Sequence, residues 1–358
     1  MSADNPAVTA SIGKWQLDMR SLRILRYALG STIAMAVAMG INWQLSFLAA
    51  VLSLSFLASP APAPSLKQGV GFVLTIAVAC LAGLMLGKYL LSYPLVYVPF
   101  TGLILFRLFY FMASGRSPLL TTWLLIALLV IPLITITSPA IANMVAVGIL
   151  ISAAATVCVV WLTHGLLPDP PKAHQVGAPA KAAPKPTVPP VDERFKTAAI
   201  STLVVLPLFV LFYSFKLQSP LLVLIFVALL SAQPGFATNF KAGAALIIGN
   251  SIGGAAAIVM YELLVLVPEL YFLIIVTFLA GLIFGTRVFS DKPTAKLYAM
   301  AFSTLLLVIG STTASGSGEA GSKVYTRVAQ ITFAVVYVVM AFGVADRFVR
   351  RRAEGSVT

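Results

Sequence analysis

A few charged and amide side chains sit inside long apolar runs, and any chemistry done at membrane depth must run through them. Arg107 lies within LILFRLFYFM, 13 residues after Pro94 (107 − 94), or about 20 Å along a helix. A charge at a helix centre costs about 2.5–3.5 kcal/mol on insertion scales. Arg107 therefore either snorkels to the nearer interface or faces an anion in a cavity. Asn250 stands in the run GNSIGGAAA. An amide in hydrocarbon needs partners, so it either bonds a neighbouring helix or touches solute. Lys88 and Glu262 lie 174 residues apart (262 − 88). They could close an ion pair, Glu262 could carry protons because burial favours a neutral carboxyl, or each could snorkel outward alone.

Small residues recur every four positions around these groups: Gly249, Gly253 and Ala257, and 174 residues earlier Thr75, Ala79 and Gly83. Such ladders let helix backbones approach closely in lipid. They serve plain packing, or they bring the two segments together beside a transport path. Gln233, Asn239 and Lys241 surround the turn QPGFATNFK, whose counterpart SPAPAPSLK ends in Lys67. These turns are cationic anchors or an inner gate. Arg287, and Arg327 with Gln330 three residues on, fall near span ends, where they read as interface anchors.

No catalytic signature is present. There is no phosphate-binding glycine loop, no His-Glu metal motif and no nucleophile elbow. With two histidines, 11 carboxylates and two cysteines inside apolar segments, no enzyme, cofactor or metal site is expected. The chain is 59% hydrophobic and 10% charged, with a mean hydropathy of +0.99. Soluble domains carry about 25% charge, so this is an integral membrane protein of all-α class. A net charge of +13 then reads as cations retained on cytoplasmic loops, with no nucleic-acid partner. Residues 1–20 are polar and hold Asp4, Lys14, Asp18 and Arg20, unlike a cleavable signal.

The elements that position these groups are twelve predicted spans. Six run over 23–41, 43–59, 68–91, 95–112, 119–137 and 141–166. Six more run over 197–215, 220–231, 242–266, 270–286, 295–311 and 324–345. Between the sets, Pro168 to Asp192 is a Pro/Ala-rich spacer without apolar periodicity, too polar to order itself. Aligning Pro60 with Pro234 sets an offset of 174 (234 − 60). It also pairs Arg20 with Arg194, Lys67 with Lys241, Gly69 with Gly243, Pro94 with Pro268 and Tyr97 with Tyr271. The halves read as an internal duplication.

Lys and Arg accumulate on one side of this topology: Arg20, Arg23, Arg26, Lys67, Arg116, the spacer lysines, Lys241, Arg287, Lys292, Lys296 and Arg347 onward. The positive-inside bias puts both termini and the spacer in the cytoplasm, so the six-span repeats are parallel. The expected units are a cytoplasmic segment 1–22, a first repeat 23–167, the linker 168–193, a second repeat 194–346 and a basic tail 347–358.

Several stretches together resemble the fusaric acid resistance superfamily of inner-membrane exporters, which includes aromatic acid efflux pumps. They are RSLRILRYALG before the first span, Trp43 opening the second, QPGFATNFKAG and GNSIGGAAA. The resemblance covers about residues 20–345 and is diffuse. It implies export of small aromatic carboxylates from a bacterial inner membrane, driven by the proton gradient, with a periplasmic adaptor of the membrane fusion type. Similarity to plant aluminium-activated malate transporters implies a fused pseudo-dimer with an anion path at its axis. Larger members carry a cytoplasmic domain after each half. Here the spacer and VRRRAEGSVT stand in those places, as in a short branch. Two other readings are a major-facilitator transporter, whose usual acidic, Arg-rich loop is missing from APAPSLK, and a scaffold holding an adaptor in the membrane.

Overall fold

The computed structural model describes residues 18–41, 43, 45–59, 62–115, 118–169, 189–216, 221–232, 240–313 and 320–354. Most of the expected linker, the loop at 314–319 and the extreme termini lie outside them. Among the described residues there are helices and no strands. In chain order these are α1 (Met19–Ile41), α2 (Leu48–Leu57), α3 (Leu66–Met85) with a π turn (Leu86–Leu90), α4 (Pro94–Ala113), α5 (Pro118–Thr135) and α6 (Pro139–Leu166). After the linker come α7 (Val191–Ser214), α8 (Leu221–Ser231), α9 (Phe240–Leu266), α10 (Leu270–Val288), α11 (Ala295–Thr313) and α12 (Ala320–Glu354). Nine of the described helices are long and apolar enough to cross a bilayer. The chain is a multi-pass, all-α membrane protein.

Local chemistry sets the helix ends. Ser65 accepts from the Gln68 amide while Gln68 Oε1 accepts from the Ser65 amide, a reciprocal box that starts α3. Ser138 caps α6, and Pro139 fills the first helical position, where no amide is needed. Apolar character on all sides marks the central helices. Leu125 through Ile131 of α5 and Thr304 through Ile309 of α11 are all buried.

One expectation changes here, and one element extends further than its span. The second span was expected over 43–59, but α2 holds ten residues, about 15 Å of a hydrocarbon core about 30 Å thick. The basic tail expected from 347 is helical to Glu354 as the end of α12.

Every packing contact in one half has a counterpart in the other. α1 lies along α10 and α7 along α4; α2 meets α11 and α8 meets α5; α3 packs on α5 and α6, and α9 on α11 and α12. The offset of 174 holds along α3 and α9. Ile76, Ala79, Cys80, Gly83 and Leu86 are buried, as are Asn250, Gly253, Gly254, Ala257 and Met260. By the fourth helix the offset has grown to 176, read from the N-caps Tyr93 and Glu269 (269 − 93). The buried hydroxyls of Thr101 and Thr277 follow it (277 − 101).

The halves are therefore interleaved rather than side by side. α10 approaches α1 so closely that a Cβ added at Gly281 would lie 2.8 Å from Ala28 Cα. Cleavage at a protease site inserted between residues 175 and 185 should leave the two fragments co-purifying in detergent; fragments that part would show that only the tether joins them. Gly281→Leu should cost about 1–3 kcal/mol through overpacking, read as a lower midpoint in thermal unfolding.

Candidate functional site

The α1–α2 connection departs from regular structure deep in the protein. Leu45 has φ 60°, a left-handed conformation that is uncommon without glycine. It is held from α6 and α11. Trp43 Nε1 donates to Ser152 Oγ at 2.9 Å, and Ser152 Oγ donates to the Leu45 carbonyl at 3.1 Å. Thr156 Oγ1 donates to the carbonyl of Ala49. Gly310 of α11, in the other half, leaves room for Phe47. Ser152 is 14 residues from the end of α6 (166 − 152), about 21 Å along it, so this connection lies within the membrane's thickness. Non-helical backbone is tolerated there only when buried in protein or lining a cavity. Lys216, just after α7, also has a left-handed backbone, at φ 51°. Among the described residues, none of the six counterpart pairs, α1 with α7 through α6 with α12, packs together. The line relating the halves thus passes between helices.

The sequence-predicted residues scatter across this frame. Arg107 is exposed on α4, on one stripe with the exposed Leu103 and Phe111. It is six residues from the end of its helix (113 − 107), about 9 Å. This is the geometry of snorkelling, not of a cation facing an interior cavity. Lys88 is exposed in the π turn, with its ammonium 5.3 Å from the centre of the Tyr89 ring. Glu262 is exposed and accepts from the Tyr325 hydroxyl at 3.1 Å. Of the alternatives for Lys88 and Glu262, the ion pair is not formed, because α3 and α9 pack within their own halves and not on each other. For the same reason the two small-residue ladders do not meet.

The ladders do bring backbones together, but with other partners. A Cβ at Gly83 would lie 2.8 Å from the Ala127 carbonyl oxygen, and one at Gly249 3.2 Å from that of Leu297. Gly253 sits on the Ala301 carbonyl. Ala79 and Ala257 are buried, and the half-buried Thr75 donates to Gly71. Asn250 is buried, and its Oδ1 accepts from Thr304 Oγ1 of α11 at 2.7 Å. Lys67 is exposed in the first turn of α3. Gln233 and Asn239 lie outside the described residues, as does the side chain of Lys241 on α9.

Two arginines matter more than the sequence indicated. Arg26 is buried on α1. Its Nη1 pairs with Asp169 Oδ1 at 2.8 Å, its Nε donates to the Leu167 carbonyl at 2.7 Å, and its Nη2 donates to the same oxygen. This closes the end of α6 with a cation, where the helix dipole favours one. It is the single ion pair among the described residues. The signal was the spacing of Arg20, Arg23 and Arg26, which turns the third arginine off the face of the first. Arg20 is exposed and donates to the Thr286 carbonyl at 3.2 Å. The second arginine is Arg327 of α12, half-buried, with Nη1 donating to Gln330 Oε1 at 3.2 Å. Among the described residues no group of three or more His, Cys, Asp or Glu is placed to hold a metal. Cys80 and Cys158 are both free.

A family model described as "Protein of unknown function (DUF2955)" matches residues 23–163, which is most of the first half. No curated protein matches the chain, and no solved structure does.

Arg26→Ala should destabilise the protein by about 1.5–3 kcal/mol, the range for hydrogen bonds to a charged group. Asp169→Ala should cost less, since Asp169 is half exposed and Leu167 keeps its donors. Thermal unfolding of both variants in detergent checks the order.

Proposed function

We propose that the chain is an inner-membrane efflux transporter subunit, moving small organic anions of the aromatic carboxylate type outward with the proton gradient. The observation that carries this is the pair of short helices at corresponding places in the two halves. α2 and α8 have 10 and 11 residues, and each is reached through a connection with a left-handed non-glycine residue. Paired interrupted segments near mid-membrane are where transporters built from repeats place their solute. In this reading the twelve helices form two parallel six-span repeats, with both termini in the cytoplasm. Solute passes along the line between the halves, and a periplasmic adaptor takes it onward.

The ten-residue α2, and the lack of an acidic, Arg-rich loop in APAPSLK, favour this reading over a major-facilitator transporter. A scaffold without transport has no need of Asn250 or Arg327 inside packed helices, where ionisable and amide groups are costly.

The test uses everted inner-membrane vesicles containing the full chain and radiolabelled benzoate. Uptake should appear on energisation and collapse with a protonophore. Vesicles that take up no more benzoate than chain-free ones would sink the transporter reading, and uptake indifferent to the protonophore would sink proton coupling.

A further inference from the structure

Cations gather where α10 ends beside the start of α1. Arg20 lies in the first turn of α1 and reaches across the seam between the halves, its Nη2 donating to the Thr286 carbonyl at 3.2 Å. That carbonyl belongs to the peptide bond leading into Arg287, which is exposed in the last turn of α10. Lys292 is exposed in the turn that follows. The acids of the same segments, Asp18 and Asp291, are exposed too, yet among the described residues neither pairs with any of these cations. The dipole of α10 explains why a cation sits at its end. The bond to Thr286 nevertheless occupies one N–H of a guanidinium that has five.

The mirrored seam, α4 on α7, is built without this arrangement. Arg194 is the counterpart of Arg20 (194 − 20 = 174). Its Nε turns back to the Pro189 carbonyl just before its own helix, at 2.6 Å. At the offset of 176 that relates the fourth helices, the position of Arg287 holds Phe111 (287 − 176). Packing of a first helix on a fourth therefore does not call for two arginines at its end. Retention of positive loops accounts for the sign of the charge, but not for a guanidinium drawn from one half onto the backbone of the other.

The surface beside the pair is apolar. Leu279, Ile283 and Arg287 follow at four-residue steps along α10, and all three are exposed. The seam end thus offers two guanidiniums at the membrane surface and an aliphatic flank running from them into the hydrocarbon. Guanidinium forks match phosphate oxygens, and basic sites between membrane helices suit anionic headgroups. Lys292 disfavours a zwitterionic headgroup, whose ammonium it repels.

We propose that this end of the α1–α10 seam binds an anionic phospholipid. Arg20 from the first half and Arg287 from the second hold the headgroup phosphate, and an acyl chain lies along Ile283 and Leu279. The lipid then acts as a clasp across the two halves. The proposal is independent of the transporter reading above.

The experiment titrates the purified full chain in detergent with dioleoylphosphatidylglycerol or dioleoylphosphatidylcholine and counts bound lipid by native mass spectrometry. Phosphatidylglycerol should bind about tenfold or more tightly, the scale of hydrogen bonds to a charged group. It should also raise the thermal midpoint, as a ligand of the folded state does. Both effects should disappear when Arg20→Gln and Arg287→Gln are combined. Lys67→Gln should keep them, because it removes an exposed cation from α3, which packs on neither helix of the seam. The pair Arg20→Lys with Arg287→Lys keeps the charge and loses the forks. It should show an intermediate preference, and it carries the test if the glutamine pair does not fold. An unchanged preference in the paired variants would overturn the site. A loss in Lys67→Gln as large as in the glutamine pair would overturn it as well, since diffuse surface charge would then account for binding. Glycerophosphoglycerol, the headgroup without its chains, should bind far more weakly than the lipid; equal affinity would overturn the acyl track.

Discussion

The close approach of α1 to α10 is the contact on which the rest of the architecture depends. Lipid offers no hydrophobic drive between helices, so association relies on shape and on small residues that let backbones meet. Gly281 and Gly285 of α10 face Ala28, Ile24 and Tyr27 of α1. Around that seam gather Phe284, Phe289 and Phe302, each ring within 6 Å of another or of Tyr27. With α1 seated in the other half, α2 must follow it, which brings Phe47 against Gly310 of α11. The mirrored seam, α4 on α7, is closed instead by Gly102 against Leu206 and by Tyr97 with Phe209 and Tyr213.

Many polar groups in the buried layer are answered close by, although the hydroxyls of Tyr27, Ser46, Tyr97, Thr101, Ser231 and Thr277 are buried without a hydrogen bond. Ser31, Thr32, Ser53, Thr163 and Thr312 return their hydroxyls to carbonyls three or four residues earlier in their own helices. Groups that reach another element do so where the backbone is irregular or a helix ends. Ser152 serves the carbonyl of Leu45, Trp161 that of Pro64, Tyr213 that of Leu91 and Arg26 that of Leu167. Thr304 and Asn250 depart from this, joining side chain to side chain between two regular helices, α11 and α9.

Helix boundaries were legible because Pro, Gly and Ser clusters interrupt apolar runs, and those residues cannot continue a helix without loss. The one misjudged span shows the limit. Trp43 through Phe47 holds Gln44 and Ser46 and is less apolar than α2, but hydropathy carries no sign that Leu45 turns left-handed. The small-residue ladders announced close packing but not the partner, since spacing on one helix is silent about which neighbour fills it. In sequence Arg107 lies well inside its span and Arg327 near the end of its own, but nothing there says which is exposed. Only the rotation of each helix against its neighbours separates the exposed one from the half-buried one.

Interleaving also sets an order of manufacture. Gly281 follows Ala28 by 253 residues (281 − 28), so at about 5–20 residues per second α1 leaves the ribosome about 10–50 s before its partner exists. Over that interval α1 must sit in lipid with the face later covered by α10 unclaimed. It can wait because Ser31 and Thr32 are satisfied within the helix. Arg26 has an early anchor as well, since Leu167 and Asp169 emerge long before α10. The chain is thus equipped to hold a half-made protein in the membrane until the second half arrives to complete it.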